Sequence, residues 1–207
     1  MKILKENNAI NKVFLEKPWK SITYSEIQKL SGKKSKSYIY SAINDLKESN
    51  MIETKHIGKR TIVYTPKVNT ASAQSYWGFL NENNSWNQKN FPLKIIENLC
   101  AKMPTNFFTL IATGSYAKKT NTSKSDLDLV IISDSDPKII YSELKYECET
   151  SIPKVHLYVF TKKEFIEMLS SKKENYGKET ARNSMIFFGG ASYYSLLSEA
   201  IEHGFKG

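Results

Sequence analysis

Apolar positions recur at helical spacing through the first fifty residues and then change period. Ile10, Val13 and Phe14 stand at i, i+3 and i+4, with Pro18 closing the run, which predicts a first helix. In "TYSEIQKLSG", Thr23 is a candidate N-cap, Glu26 stands at capping-box spacing and Gly32 is the stop. A third stripe carries Ile39, Ala42, Ile43 and Leu46. Two short β-type runs follow, 51–54 and 61–65, around a basic turn with Gly58, Lys59 and Arg60. Residues 69–91 are rich in Asn, Ser and Gln but hold Trp77, Phe79, Leu80 and Trp86. That is too much apolar bulk for a free linker, so the pattern predicts a packed helical connector with a turn near 83–85.

From Pro92 the order reads helix, strand, turn, strand, helix, strand, helix. "LKIIENLCAKM" is amphipathic, "FFTLIATG" is a buried strand ending on Gly114, and "DLDLVIIS" is a second strand. Asp136 and Pro137 open the next helix, "KVHLYVFT" is the third strand, and "KKEFIEMLSS" begins another helix. The C-terminal stretch reads as two helices broken at Gly189–Gly190, with Tyr193, Tyr194, Leu196 and Leu197 as packing residues. The expected fold is α+β in three parts: 1–68, the connector 69–91, and 92–207 with a small mixed sheet flanked by helices.

Composition fits a globular protein, 40% apolar and 25% charged. No run approaches the roughly 18 apolar residues of a membrane span, and "MKILKENNAINKVF" lacks a signal-peptide core. Cys100 and Cys148 have no CxxC partner. A cytoplasmic protein without a membrane partner is the expectation. Charge sharpens the picture: residues 1–70 hold 14 Lys/Arg against 6 Asp/Glu, whereas residues 71–207 hold 16 against 15. A basic module joined to a near-neutral one suggests a polyanionic partner for the first, with a lysine-rich solubilising surface as the alternative.

Three helices and a basic hairpin, over about residues 8–68, resemble a winged helix-turn-helix domain. That resemblance implies a third helix entering the major groove and a wing touching the backbone. Lys33, Lys34, Ser35, Lys36, Ser37 and Tyr38 would then face nucleic acid from the helix start, with His56, Lys59 and Arg60 on the wing. Protein docking is the other use of such a module.

Asp126 and Asp128 lie one residue apart at the mouth of an apolar run. On a strand they share one face while Leu127 and Leu129 point to the other. Two adjacent carboxylates repel unless a cation joins them. Gly114-Ser115, ten residues and then Asp126-Leu127-Asp128 match the GSx10DxD signature, and residues 92–200 resemble minimal nucleotidyltransferases of the DNA polymerase β-like superfamily. The resemblance implies Mg²⁺, or Mn²⁺, on Asp126 and Asp128, and ATP or another nucleoside triphosphate as substrate. Gly114 and Ser115 would hold its phosphates, with Lys118, Lys119 and Lys124 adding positive potential. It also implies a third carboxylate on the third strand, where this chain has His156, a candidate proton acceptor in its place.

The expected function is Mg²⁺-dependent transfer of AMP from ATP to a protein hydroxyl. Stand-alone relatives resemble antitoxin partners of HEPN-type toxins, so such a toxin is the candidate acceptor. The alternatives are a DNA-binding transcriptional regulator with a degenerate nucleotide-binding domain, and an enzyme extending a nucleic-acid 3′ end.

Overall fold

A capping box starts the second helix: Glu26 N donates to Thr23 Oγ1, and Glu26 Oε2 accepts from Thr23 N. Gly32, in the left-handed region, ends it. The computed structural model describes residues 8–207; the leader reading and the first part of the expected 1–68 module lie outside the described residues. Helices α1 (Asn8–Glu16), α2 (Tyr24–Ser31) and α3 (Lys36–Glu48) are followed by strands β2 (Ile52–Ile57) and β3 (Thr61–Pro66). A further strand, β1 (Ile22–Thr23), was not expected; it pairs with β3 and gives a three-stranded sheet of order β1-β3-β2. Two residues are too few to show alternation.

The connector is helix α4 (Ala71–Trp86), and the turn expected near 83–85 is absent. Local composition loses here to tertiary contact. Trp77 Nε1 donates to Lys67 O, Trp86 Nε1 donates to Phe187 O, and Ser85 Oγ bonds back to Asn81 O within the helix. Gly78 lets α4 touch the last helix, α10 (Gly190–Glu202), backbone to backbone. A Cβ there would lie 2.4 Å from Ala191 N and 2.5 Å from Gly190 C. Since neither neighbour is a flexible side chain, Gly78→Ala should cost about 2–3 kcal/mol in urea unfolding; an unchanged midpoint would contradict this packing.

Residues 92–207 build a second sheet from β4 (Phe108–Ala112), β5 (Leu127–Ser133), β6 (Val155–Phe160) and β7 (Met185–Phe188). Its order is β6-β5-β4-β7, with β5 and β6 parallel and the other pairs antiparallel. Strand β7 corrects the expectation of two C-terminal helices meeting at Gly189–Gly190. The first of those helices is α9 (Tyr176–Arg182), and the glycines join β7 to α10. "MIFF" is a short apolar run, which periodicity cannot tell from buried helix.

Alternation along β5 divides the core. Leu127, Leu129 and Ile131 pack with α5 (Leu93–Lys102) and α7 (Pro137–Thr150). Val130 and Ile132 face the other way, into one continuous core with α4, α8 (Lys162–Ser170), α10 and the N-terminal helices. Asp128 belongs to the second set by register, so the aspartates emerge beside that core.

Candidate active site

The turn leaving β4 brings the backbone against a carboxylate. Gly114 has φ +65°, and a Cβ there would stand 2.1 Å from Asp128 Oδ2. Only a glycine fits both that conformation and that space. Thr113 N donates to Asp128 O at 3.0 Å, fixing the turn to β5. Gly114 opens the short helix α6 (Gly114–Ala117), with Ser115 half-buried in its first turn.

Parallel pairing sets Asp128 opposite His156 on β6. The imidazole stands between the two aspartates: Nε2 is 3.4 Å from Asp126 Oδ2 and Nδ1 is 3.6 Å from Asp128 Oδ1. All three side chains remain reachable, 44%, 29% and 46% exposed for Asp126, Asp128 and His156. Burial pushes the Asp128 carboxyl up; His156 opposes this, while Asp126 and Glu179 add to it. Burial and the neighbouring carboxylates thus make the ionised form of Asp128 costly in the apo site.

That donor set fits a hard divalent cation in part. Two carboxylates on one face suit Mg²⁺ or Mn²⁺ when substrate phosphates and water complete the shell. Among the described residues, no group of three or more His, Cys, Asp or Glu side chains is arranged to hold a metal ion. A cation held by the two aspartates would need further oxygen ligands from outside this pair.

Residues 93–186 match the family model of the nucleotidyltransferase domain. No curated protein and no solved structure matches the chain. The matched segment runs from α5 into β7 and includes Gly114, both aspartates and His156. Among the described residues, no helix is long and apolar enough to cross a membrane.

Of the expected phosphate-binding lysines, Lys118 stays at the site. It caps α6, and its Nζ lies 2.8 Å from Glu179 Oε1. Lys124 sits on an exposed turn closed by Ser125 N to Thr122 O, with no ion pair among the described residues. Lys119, with φ +57°, turns away into a cleft beside α1 and α4.

Helix α9 supplies groups that sequence reasoning missed. Tyr176 and Glu179 are three apart, hence on one helix face. Burial pushes the Tyr176 phenol up, with Asp128, Tyr158 and Glu179 adding to the shift. Its hydroxyl is buried without a hydrogen-bond partner among the described residues. Tyr116 of α6 is raised by burial and then by Asp126. The i, i+3 spacing in "NYGKETAR" was the available signal, but no motif attached it to the aspartates.

The expected nucleic-acid residues gather elsewhere. Lys33, Lys34 and Lys36 are exposed around the start of α3, where Ser35 Oγ accepts from Tyr38 N. Lys33 Nζ lies 5.5 Å from the Tyr38 ring centroid. His56, Lys59 and Arg60 are exposed at the β2–β3 turn, which Gly58 makes with φ +63°.

Proposed function

We propose that the chain transfers AMP from ATP to a hydroxyl on a protein acceptor and that its N-terminal module is a winged helix binding nucleic acid. One observation carries the enzymatic half. The Gly114 backbone is pressed against Asp128 while His156 bridges the aspartates, so the glycine turn, the two carboxylates and the imidazole meet on one exposed face.

Asp126 and Asp128 would hold Mg²⁺, which when bound neutralises charge on the phosphates and draws nucleotide into the site. The α6 backbone and Ser115 orient the phosphate tail, and Lys118 adds a positive charge. The acceptor oxygen attacks the α-phosphorus, a new P–O bond forms, and the bond to the departing pyrophosphate breaks. His156, in neutral form, takes the hydroxyl proton. Adenylate as the transferred group, a HEPN-type toxin as acceptor and action in the cytoplasm are part of the proposal, by analogy with antitoxin-like relatives.

His156→Ala should lower the transfer rate about 100-fold with much less effect on nucleotide affinity, whereas His156→Asp should preserve or raise it. A kinetically silent alanine variant would make His156 structural and remove it from the chemistry. Nucleotide binding by the parent without any transfer would instead favour the second reading, a nucleic-acid-binding regulator whose domain binds nucleotide without turnover. The imidazole at the third-carboxylate position is what supports that second reading.

The clustered Lys33, Lys34 and Lys36 support nucleic-acid contact. Reversing these three charges should weaken DNA or RNA binding and reduce the slope of log affinity against log salt by about two to three units. An unchanged slope in a filter-binding titration would make the module a protein-docking element.

A further inference from the structure

A cleft of about 430 Å³ lies where the N-terminal module meets the nucleotidyltransferase domain. Its walls come from α1, α4, the end of α6 and the end of α9, so half of it lies outside the matched domain. We propose that this cleft binds an extended, acidic segment of the protein acceptor, presenting its hydroxyl to the aspartates. The inference rests on the transfer reading above and adds to it the acceptor's chemistry.

Charge comes first. Lys12, Lys17 and Lys119 line the cleft with no ion pair among the described residues, while Arg182 is already held by Glu174 at 2.7 and 2.9 Å. Glu16 is the carboxylate among the described lining residues. Three free ammonium groups around one cleft attract an anionic partner.

Amides narrow the class. Asn84, Gln88 and Asn183 line the same walls over a floor that includes Leu15 and Met185. The side-chain amides of Asn84 and Gln88 make no hydrogen bond to any described residue, though both residues are half-buried. A carboxamide offers a donor and an acceptor side by side, the complement of an extended peptide's N–H and C=O. Nucleic-acid strands are usually gripped by aromatic platforms on which bases stack, and none of the described lining residues is aromatic. A peptide is therefore the better fit.

Position links the cleft to the chemistry. Ala117 in its wall ends the helix that Gly114 begins, and Arg182 and Asn183 follow Glu179 on α9. At 1.5 Å per helical residue the cleft starts within about 10 Å of the aspartates. About three extended residues cover that distance, so a segment lodged here can place a tyrosine, serine or threonine hydroxyl at the site.

The test uses the whole chain in a background with Lys33, Lys34 and Lys36 changed to Glu, which silences the other basic patch. The probes are a fluorescent random copolymer of glutamate and tyrosine, a lysine–tyrosine copolymer and an oligo(dT) strand. The acidic copolymer should bind and the basic one should not. Lys12→Glu with Lys17→Glu should weaken binding about tenfold or more. Asn84→Ala with Gln88→Ala, which changes no charge, should weaken it about tenfold, while thermal midpoints show both variants folded. Acidic-copolymer binding that survives the amide pair, or oligo(dT) binding lost with that pair while copolymer binding stays, overturns the proposal. Binding needs no turnover, so the two readings fail separately. Label from ATP reaching protein acceptors regardless of the cleft variants sinks the cleft alone. Copolymer binding that depends on the cleft, without any label transfer, sinks the transfer reading and leaves the cleft supported.

Discussion

Replacing both aspartates, Asp126→Asn with Asp128→Asn, is expected to reduce nucleotidyl transfer by about 10³-fold or more, the loss of several kcal/mol of charge stabilisation. Folding should survive. Asp128 is pushed up mainly by burial, and its contact with His156 does not offset that. A carboxyl whose folded pKa is raised contributes stability below its unfolded pKa and loses it as pH rises through the folded one. At neutral pH the ionised Asp128 is thus a cost to the apo protein, moderated by its 29% exposure. The double variant should melt at the same temperature as the parent or slightly higher, with the difference shrinking below the carboxylate range. Mg²⁺ with a non-hydrolysable ATP analogue should raise the parent's melting temperature and leave the variant's unchanged. Activity within a few-fold of the parent would remove both carboxylates from the mechanism.

Gly114→Ala should be nearly as damaging to activity for a different reason. An L-residue at φ +65° carries left-handed strain of about 1–2 kcal/mol, and its Cβ would sit 2.1 Å from Asp128 Oδ2. The carboxylate must move, and displacement of about 1 Å at a reacting centre costs about 100-fold in rate. Gly58→Ala is the matched control: φ is +63°, yet nothing lies within 4 Å of the added carbon. It should carry the strain without the catalytic loss. Equal activities for the two variants would show that the Gly114–Asp128 contact does no catalytic positioning.

How much of this was legible in the sequence differs by element. Gly114-Ser115 and Asp126-x-Asp128 announced their turn and strand because glycine, carboxylates and apolar alternation are each tied to a local backbone shape. The resemblance alone suggested His156 for the third-carboxylate position, and the parallel pairing of β5 with β6 is what sets it opposite Asp128. What stayed hidden was decided by distant contacts. The stretch 83–85 is locally turn-like, yet it stays helical because Trp77, Gly78 and Trp86 bind α4 to other elements. Strand β7 was hidden because four apolar residues show no period and only pairing with β4 makes them a strand. Tyr176 and Glu179 reach Asp128 only through the packing of α9, where Gly177 lies against Met168, its would-be Cβ 2.7 Å from the Met168 Cβ. The cleft between α1, α4, α6 and α9 likewise depends on four elements far apart in sequence.

The most direct measurement of the central claim is transfer of label from nucleotides carrying ³²P at the α-phosphate. The purified chain would be incubated with each of the four nucleotides and a cell lysate, with Mg²⁺ or with chelator, beside the Asp126→Asn, Asp128→Asn variant. The predicted result is Mg²⁺-dependent label from ATP on a protease-sensitive band, absent with the variant. Label from no nucleotide, or label that persists undiminished with the variant, would contradict the assignment of this site as a nucleotidyltransferase centre.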